Sequence, residues 1–200
     1  MKSGSSFVSI VSAEGSRQGC VLGSLLFCLG LQPVLERAIL DLKVTILAIV
    51  DDITLIGPAD DVAFAFARIN SSLPALGLQL SGPKCAALLP TRFIPPSIAA
   101  LARDHKVDVL HGAMPLLGSM IGNDTKAIST FAEAKAERHA PFFQALQSPL
   151  LHTQHAMLLL RASAIPRMNF LCRTLAPFLI ASACTLFDQR SGQPPFPSSS

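Results

Sequence analysis

The stretch Val44-Thr45-Ile46-Leu47-Ala48-Ile49-Val50-Asp51-Asp52-Ile53-Thr54-Leu55-Ile56-Gly57 decides the fold class. β-Branched and other apolar residues fill both halves and two adjacent aspartates part them, which predicts strand, two-residue turn, strand, with Asp51 and Asp52 as the turn. Asp is common in turns because its carboxylate bonds nearby backbone N–H groups, so a plain hairpin turn is one reading of the pair. The other is a metal site. Adjacent carboxylates repel, and an oxygen-rich cluster of that kind suits Mg²⁺, which keeps part of its water shell and binds substrate phosphates with the rest. On that reading Asp51 and Asp52 are metal ligands and catalytic carboxylates for phosphoryl or nucleotidyl transfer. A site with two ions needs a carboxylate bridging both, and one hairpin rarely supplies every ligand.

Working outward, Ser16-Arg17-Gln18-Gly19-Cys20-Val21-Leu22-Gly23-Ser24-Leu25-Leu26-Phe27 passes from a Gly-bounded loop into an apolar helix. Downstream come Gly77-Leu78-Gln79-Leu80, Pro83-Lys84-Cys85 and Pro115-Leu116-Leu117-Gly118-Ser119-Met120-Ile121-Gly122. In this order the segments resemble a reverse transcriptase of the non-LTR retrotransposon type. The arginine-glutamine-glycine loop and its helix are similar to motif B, the Asp-Asp hairpin to motif C, the stretch to Lys84-Cys85 to motif D, and Leu117-Gly118 to motif E. The resemblance covers residues 7 to about 175. It implies a partial polymerase palm, α/β in the α+β sense, with an antiparallel sheet and packed helices, followed by a helical thumb.

The resemblance also assigns roles. Asp51 matches the metal-holding carboxylate and Asp52 its less directly engaged neighbour. Gln18 and Gly19 match residues that shape the template and nucleotide pocket, with Arg17 beside them, and Lys84 matches a lysine that meets the nucleotide phosphates. Read by themselves, Arg17 is a solvated loop cation, Gly19 a helix-entry glycine and Lys84 an exposed lysine. The implied activity is RNA-directed DNA synthesis on an RNA template and DNA primer duplex, with dNTP as substrate and Mg²⁺ as the cofactor of the complete enzyme.

Two departures qualify the match. The family's site needs another aspartate from a strand several tens of residues before motif B, whereas fifteen residues precede Ser16 and the only acid among them is Glu14, beside Gly15 in an expected turn. The fingers region is missing too. Ile49 stands where the family places an aromatic residue, and the chain has no Tyr or Trp. The expectation is therefore a polymerase fragment that is inactive alone, the missing segment coming from upstream sequence or from another chain. The alternative is a non-catalytic retroelement remnant acting as a nucleic-acid- or protein-binding module.

At 200 residues the chain is long enough to bury a real core. Only 14% of residues are charged, and the mean hydropathy of +0.47 is high for a soluble globular protein. Apolar faces that the missing fingers would cover account for it. A membrane span is the competing account, but runs such as Val44 to Val50 and Leu175 to Phe187 fall short of the roughly 20 residues a spanning helix needs. Nor does the start resemble a secretory signal. The expected place is intracellular, the nucleus included, without membrane. Cys20, Cys28, Cys85, Cys172 and Cys184 are odd in number and widely spaced, which predicts reduced, mostly buried thiols rather than disulfides or zinc. His152 and His155 lack a third ligand and read as a polar patch.

Element by element, the pattern predicts a strand at Phe7–Val11 and a helix from about Leu22 to Leu40, bent or interrupted near Pro33. A second helix is capped by Asp60 and Asp61, and its Val62, Phe66, Ile69, Leu73 and Leu76 form a core stripe on the back of the sheet. A loop from Pro90 to Pro96, a short helix, and strands near Val107–Leu110 and Leu116–Gly118 follow. From Thr125 to Phe187 the pattern is helical, broken at Pro141, Pro149, Pro166 and Pro177. Residues 1–122 then form the partial palm, 123–188 the thumb-like region and 189–200 a disordered tail. Between Arg138 and Phe187 there are four arginines and no acid. Arg138, Arg161, Arg167 and Arg173 suit a thumb resting on a nucleic-acid backbone, or an ordinary solvated helix face.

Overall fold

The computed structural model describes residues 19–191. The expected strand at Phe7–Val11, Glu14, Arg17, Gln18 and residues 192–200 of the tail lie outside the described residues. The fold belongs to the α+β class. Its strands do not join into one antiparallel sheet: among the described residues there are three two-stranded sheets, two antiparallel and one parallel. Two compact units result. One takes the described residues up to Gly82 together with Pro95–Lys106, the other Pro83–Ile94 and the chain from Val107 on.

In the first unit, α1 (Gly23–Ala38) leads to β1 (Thr45–Ile49) and β2 (Asp52–Ile56), then α2 (Ala59–Ser72) and, after a chain passage through the second unit, α3 (Pro96–His105). α1 runs on through Pro33, so of the expected bend or interruption the interruption does not occur. The carbonyl that Pro33 deprives of a partner is that of Leu29, an exposed residue, so water can satisfy it. Leu31, Leu35 and Ala38 of α1 meet Ile69 of α2 and the adjoining Leu73 in a core that the inward side chains Ile46, Ile53 and Leu55 of the hairpin close. The predicted stripe holds at Ile69 and Leu73 but not at Leu76, which is 43% exposed, because the helix gives way to a tighter 3₁₀ turn at Leu73–Leu76 and the periodicity changes.

Asp60 and Asp61 are not caps. The N-cap of α2 is Pro58, and the two acids stand in the first turn, where they complement the positive end of the helix dipole. Asp61 has a second task, since its Oδ2 accepts the Lys43 backbone N–H at 3.1 Å. Arg68 donates from Nη1 to the carbonyls of Ala38 at 3.3 Å and Leu40 at 2.8 Å, filling acceptors that the end of α1 leaves open. These three bonds tie α2 to the end of α1 and to the chain entering β1. A Cβ at Gly57 would collide with the Lys43 carbonyl, so glycine is what lets the chain leaving β2 pass that close.

In the second unit, β3 (Ala86–Leu89) pairs parallel with β4 (Asp108–His111). Then β5 (Ala113–Leu116) and β6 (Ser119–Gly122) form a hairpin. The expected strand near Leu116–Gly118 is thus a strand end and a turn: Leu116 closes β5, and Leu117 and Gly118 are the turn, with φ of 49° and 83°, the left-handed values a tight hairpin turn demands. Five helices follow: α4 (Thr125–Glu137), α5 (Ala140–Leu146), α6 (Thr153–Leu159), α7 (Pro166–Thr174) and α8 (Pro177–Ser191), with a π-helical segment, Leu160–Ala164, between α6 and α7. The expected breaks at proline occur as helix starts. Pro141, Pro166 and Pro177 sit at first-turn positions, where the missing N–H costs nothing, and Pro149 lies in the turn before α6. Ile128, Ala132, Ala136, Phe143, Met168, Leu171, Ile180, Ala183 and Phe187 share this unit's core. Arg190 pairs with Glu137, joining the ends of α8 and α4. Among the described residues no helix is long and apolar enough to cross a membrane.

Candidate functional site

The hairpin pairs Thr45 with Ile56, Leu47 with Thr54 and Ile49 with Asp52. Its turn is therefore Val50–Asp51, one residue earlier than expected, and Asp52 is the first residue of β2. Alternation dictates the rest. Ile46, Ala48, Ile53 and Leu55 share the inward face, whereas Leu47, Ile49, Asp52, Thr54 and Ile56 share the outward one. Asp51 and Asp52 are both exposed, and among the described residues neither carboxylate has a hydrogen-bond or ion-pair partner. The plain-turn reading expects the opposite, since a turn aspartate there would bond local backbone.

Val50 is the strained element of the tip. Its φ is 56°, a left-handed conformation that β-branched side chains adopt only under constraint. The turn closes there because Ile49 and Asp52 stay paired while the inward residues are held by α1 and α2.

Two free, adjacent carboxylates fit one largely hydrated Mg²⁺, which takes one or two protein carboxylates and fills its octahedron with water or phosphate. They do not fit a pair of ions by themselves. Among the described residues no group of three His, Cys, Asp or Glu side chains converges to hold a metal. Asp41, Asp60 and Asp61, the other aspartates between residues 41 and 61, thus complete no ligand set.

Gly19 is exposed with φ of 88° and opens a turn in which Gly23 N–H bonds the Cys20 carbonyl at 3.1 Å, so the Gly-bounded entry to an apolar helix is as expected. Lys84 is exposed and ends the 3₁₀ turn Gly82–Lys84 before β3. It belongs to the second unit, the Asp pair to the first. Arg138, Arg161, Arg167 and Arg173 are all exposed.

Of the four arginines, Arg167 has defined surroundings. Its guanidinium lies over the Phe142 ring at 4.1 Å and reaches His139 Nδ1 at 3.4 Å. Lys135 stands over Phe131 at 5.3 Å. Desolvation first, then the positive charges of Arg167 and Lys135, pull the His139 pKa below its ordinary value. His139 and Phe142 were not readable as neighbours of Arg167, because contacts between residues this far apart in the chain leave no local spacing signal.

All five cysteines are free thiols, but their burial differs from expectation. None is buried, and Cys20, Cys28 and Cys172 are exposed. His152 caps α6 with Nδ1 accepting the Gln154 N–H at 3.4 Å, and its ring lies 5.9 Å from that of His155, in keeping with a polar patch. No family model matches this chain, and no curated protein or solved structure does either.

Proposed function

We propose that this chain is the C-terminal palm and thumb portion of a reverse transcriptase of the non-LTR retrotransposon type, with Asp51 and Asp52 as its metal-facing carboxylates. One observation carries the reading: two adjacent carboxylates, without partners among the described residues, stand at the exposed tip of a hairpin whose inner face is fixed on α1 and α2. Strand pairing and core packing on one side leave the acids free on the other, as a site that waits for cations and phosphates requires. The order of the flanking segments supports the same reading.

The parent reaction is attack of a primer 3′-hydroxyl on the α-phosphate of a dNTP, directed by an RNA template. Bound Mg²⁺ would supply charge neutralisation there. Among the described residues Asp51 and Asp52 have no third carboxylate, His or Cys beside them, and the reading takes this chain to be inactive without a further ligand. Exposed Leu25, Leu26 and Leu29 on α1 and Leu47, Ile49 and Ile56 on the hairpin fit apolar faces that further polymerase segments cover. On the resemblance, Arg17, Gln18 and Gly19 are assigned to template and nucleotide binding, Lys84 to nucleotide phosphates, and the four arginines to the backbone of the primer-template duplex.

The test uses the purified chain and an RNA–DNA hybrid. Affinity should fall steeply with salt. Changing Arg138, Arg161, Arg167 and Arg173 to Gln together should flatten the slope of log K against log salt by roughly 0.7–0.9 for each phosphate that is no longer neutralised. An unchanged slope removes the thumb assignment. Primer extension by the chain alone, abolished by Asp51→Asn, contradicts the incomplete-site part. A second reading, a non-catalytic binding remnant, draws on the absence of a third ligand among the described residues. It predicts hybrid binding that ignores Asp51→Asn and Mg²⁺ alike.

A further inference from the structure

We propose that Cys172 and Cys184 are a modification site, forming a reversible disulfide that fastens α7 to α8. The two Sγ atoms lie 3.9 Å apart. A disulfide needs about 2.05 Å, so closure calls for an approach of about 2 Å. Side-chain rotation can supply that without separating the helices.

The pair is set by packing. Leu171 precedes Cys172 on α7 and Ala183 precedes Cys184 on α8, and both are buried in the same core with Met168, Ile180 and Phe187. Their neighbours on the helices, one residue on, are thereby brought face to face at the edge of that core. Cys172 is exposed and Cys184 half-buried. This difference in access divides the roles: Cys172 meets a reagent from solution, and Cys184 resolves the product from within. Burial, reinforced by its contact with Cys172, keeps the Cys184 thiol protonated above the usual range, in line with the second role.

The oxidant is a small-molecule disulfide such as glutathione disulfide. The Cys172 thiolate attacks one of its sulfurs, a mixed disulfide forms, and one glutathione thiolate leaves and takes up a proton. Cys184 then loses its proton to solvent, and its thiolate attacks Cys172 Sγ. The protein disulfide forms as the second glutathione departs and is protonated. Two protein thiols are oxidised and one glutathione disulfide is reduced to two glutathiones. Dithiothreitol reverses the sum.

The experiment equilibrates the full chain in glutathione redox buffers, alkylates the remaining thiols, and reads intact mass and peptide map. The expected product is two hydrogens lighter before alkylation, carries a Cys172–Cys184 linked peptide, and leaves Cys20, Cys28 and Cys85 alkylatable. Its thermal midpoint lies above that of the reduced form. Cys172→Ser, at an exposed position, should abolish the link and leave Cys184 free. Cys184→Ser should accumulate glutathione on Cys172. A stable mixed disulfide on Cys172 in the unmodified sequence, linkage through another pair, or thiols that stay reduced in every buffer would each overturn the proposal.

Discussion

Val50 carries a backbone conformation that its side chain opposes. With φ at 56°, the left-handed well costs a residue bearing a Cβ about 1–2 kcal/mol, a cost Asn largely avoids. Val50→Asn should therefore stabilise the chain by about 1 kcal/mol in urea unfolding; a lower midpoint would mean that the turn is relaxed as it stands. His139 offers a second residue-scale check. Its folded pKa is depressed below 6.5 by desolvation and by Arg167 and Lys135, so the unfolded state binds the proton more readily. Stability is full above the unfolded value, starts to fall as pH drops through about 6.5, and stops falling once the folded value is passed. The His139 ring proton, followed by NMR, should titrate below 6.5, and Arg167→Gln should move the midpoint upward. A midpoint at or above the ordinary value would show that desolvation and the two cations do not act on this ring.

Among the elements, the hairpin bears the candidate site and α1 and α2 bear the hairpin. Ile69 is 3% exposed between them whereas Leu47 is 56% exposed on the opposite face. Ile69→Ala should cost about 2–4 kcal/mol, the forfeited transfer energy plus the cavity left behind. Leu47→Ala should cost under about 0.5 kcal/mol. Comparable costs at the two positions, measured by denaturant unfolding, would mean that the outward face is covered. Much of this element was legible in the sequence, because period-two alternation and the helical stripe are signals that burial writes directly into residue choice. The turn was misplaced by one residue for a related reason: two adjacent aspartates look like turn chemistry, while the ladder prefers to close at a strained Val50 and keep Asp52 paired with Ile49. Ala86–Leu89 gave no strand signal, since Ala-Ala-Leu-Leu lacks β-branched residues. Leu117 likewise hid a hairpin turn, because a γ-branched residue is seldom chosen where φ is positive.

For the whole molecule, the apolar composition finds its explanation in surfaces as well as cores. Leu25, Leu26 and Leu29, together with Leu47, Ile49 and Ile56, are exposed in the first unit, faces that the proposed reading assigns to contact with other polymerase segments. The candidate site was legible as residue types, since adjacent acids at a hairpin tip are a local pattern. The surroundings of Arg167 were not, because they depend on helix packing that no spacing rule encodes. What remains decisive is whether the paired acids hold a cation. Mn²⁺, a paramagnetic stand-in for Mg²⁺, added in substoichiometric amounts to the full chain while amide resonances are recorded, reads this directly. The reverse-transcriptase account predicts selective broadening of residues 49–53, abolished in an Asp51→Asn, Asp52→Asn double variant. Broadening absent from the tip, or unchanged in that variant, would contradict it.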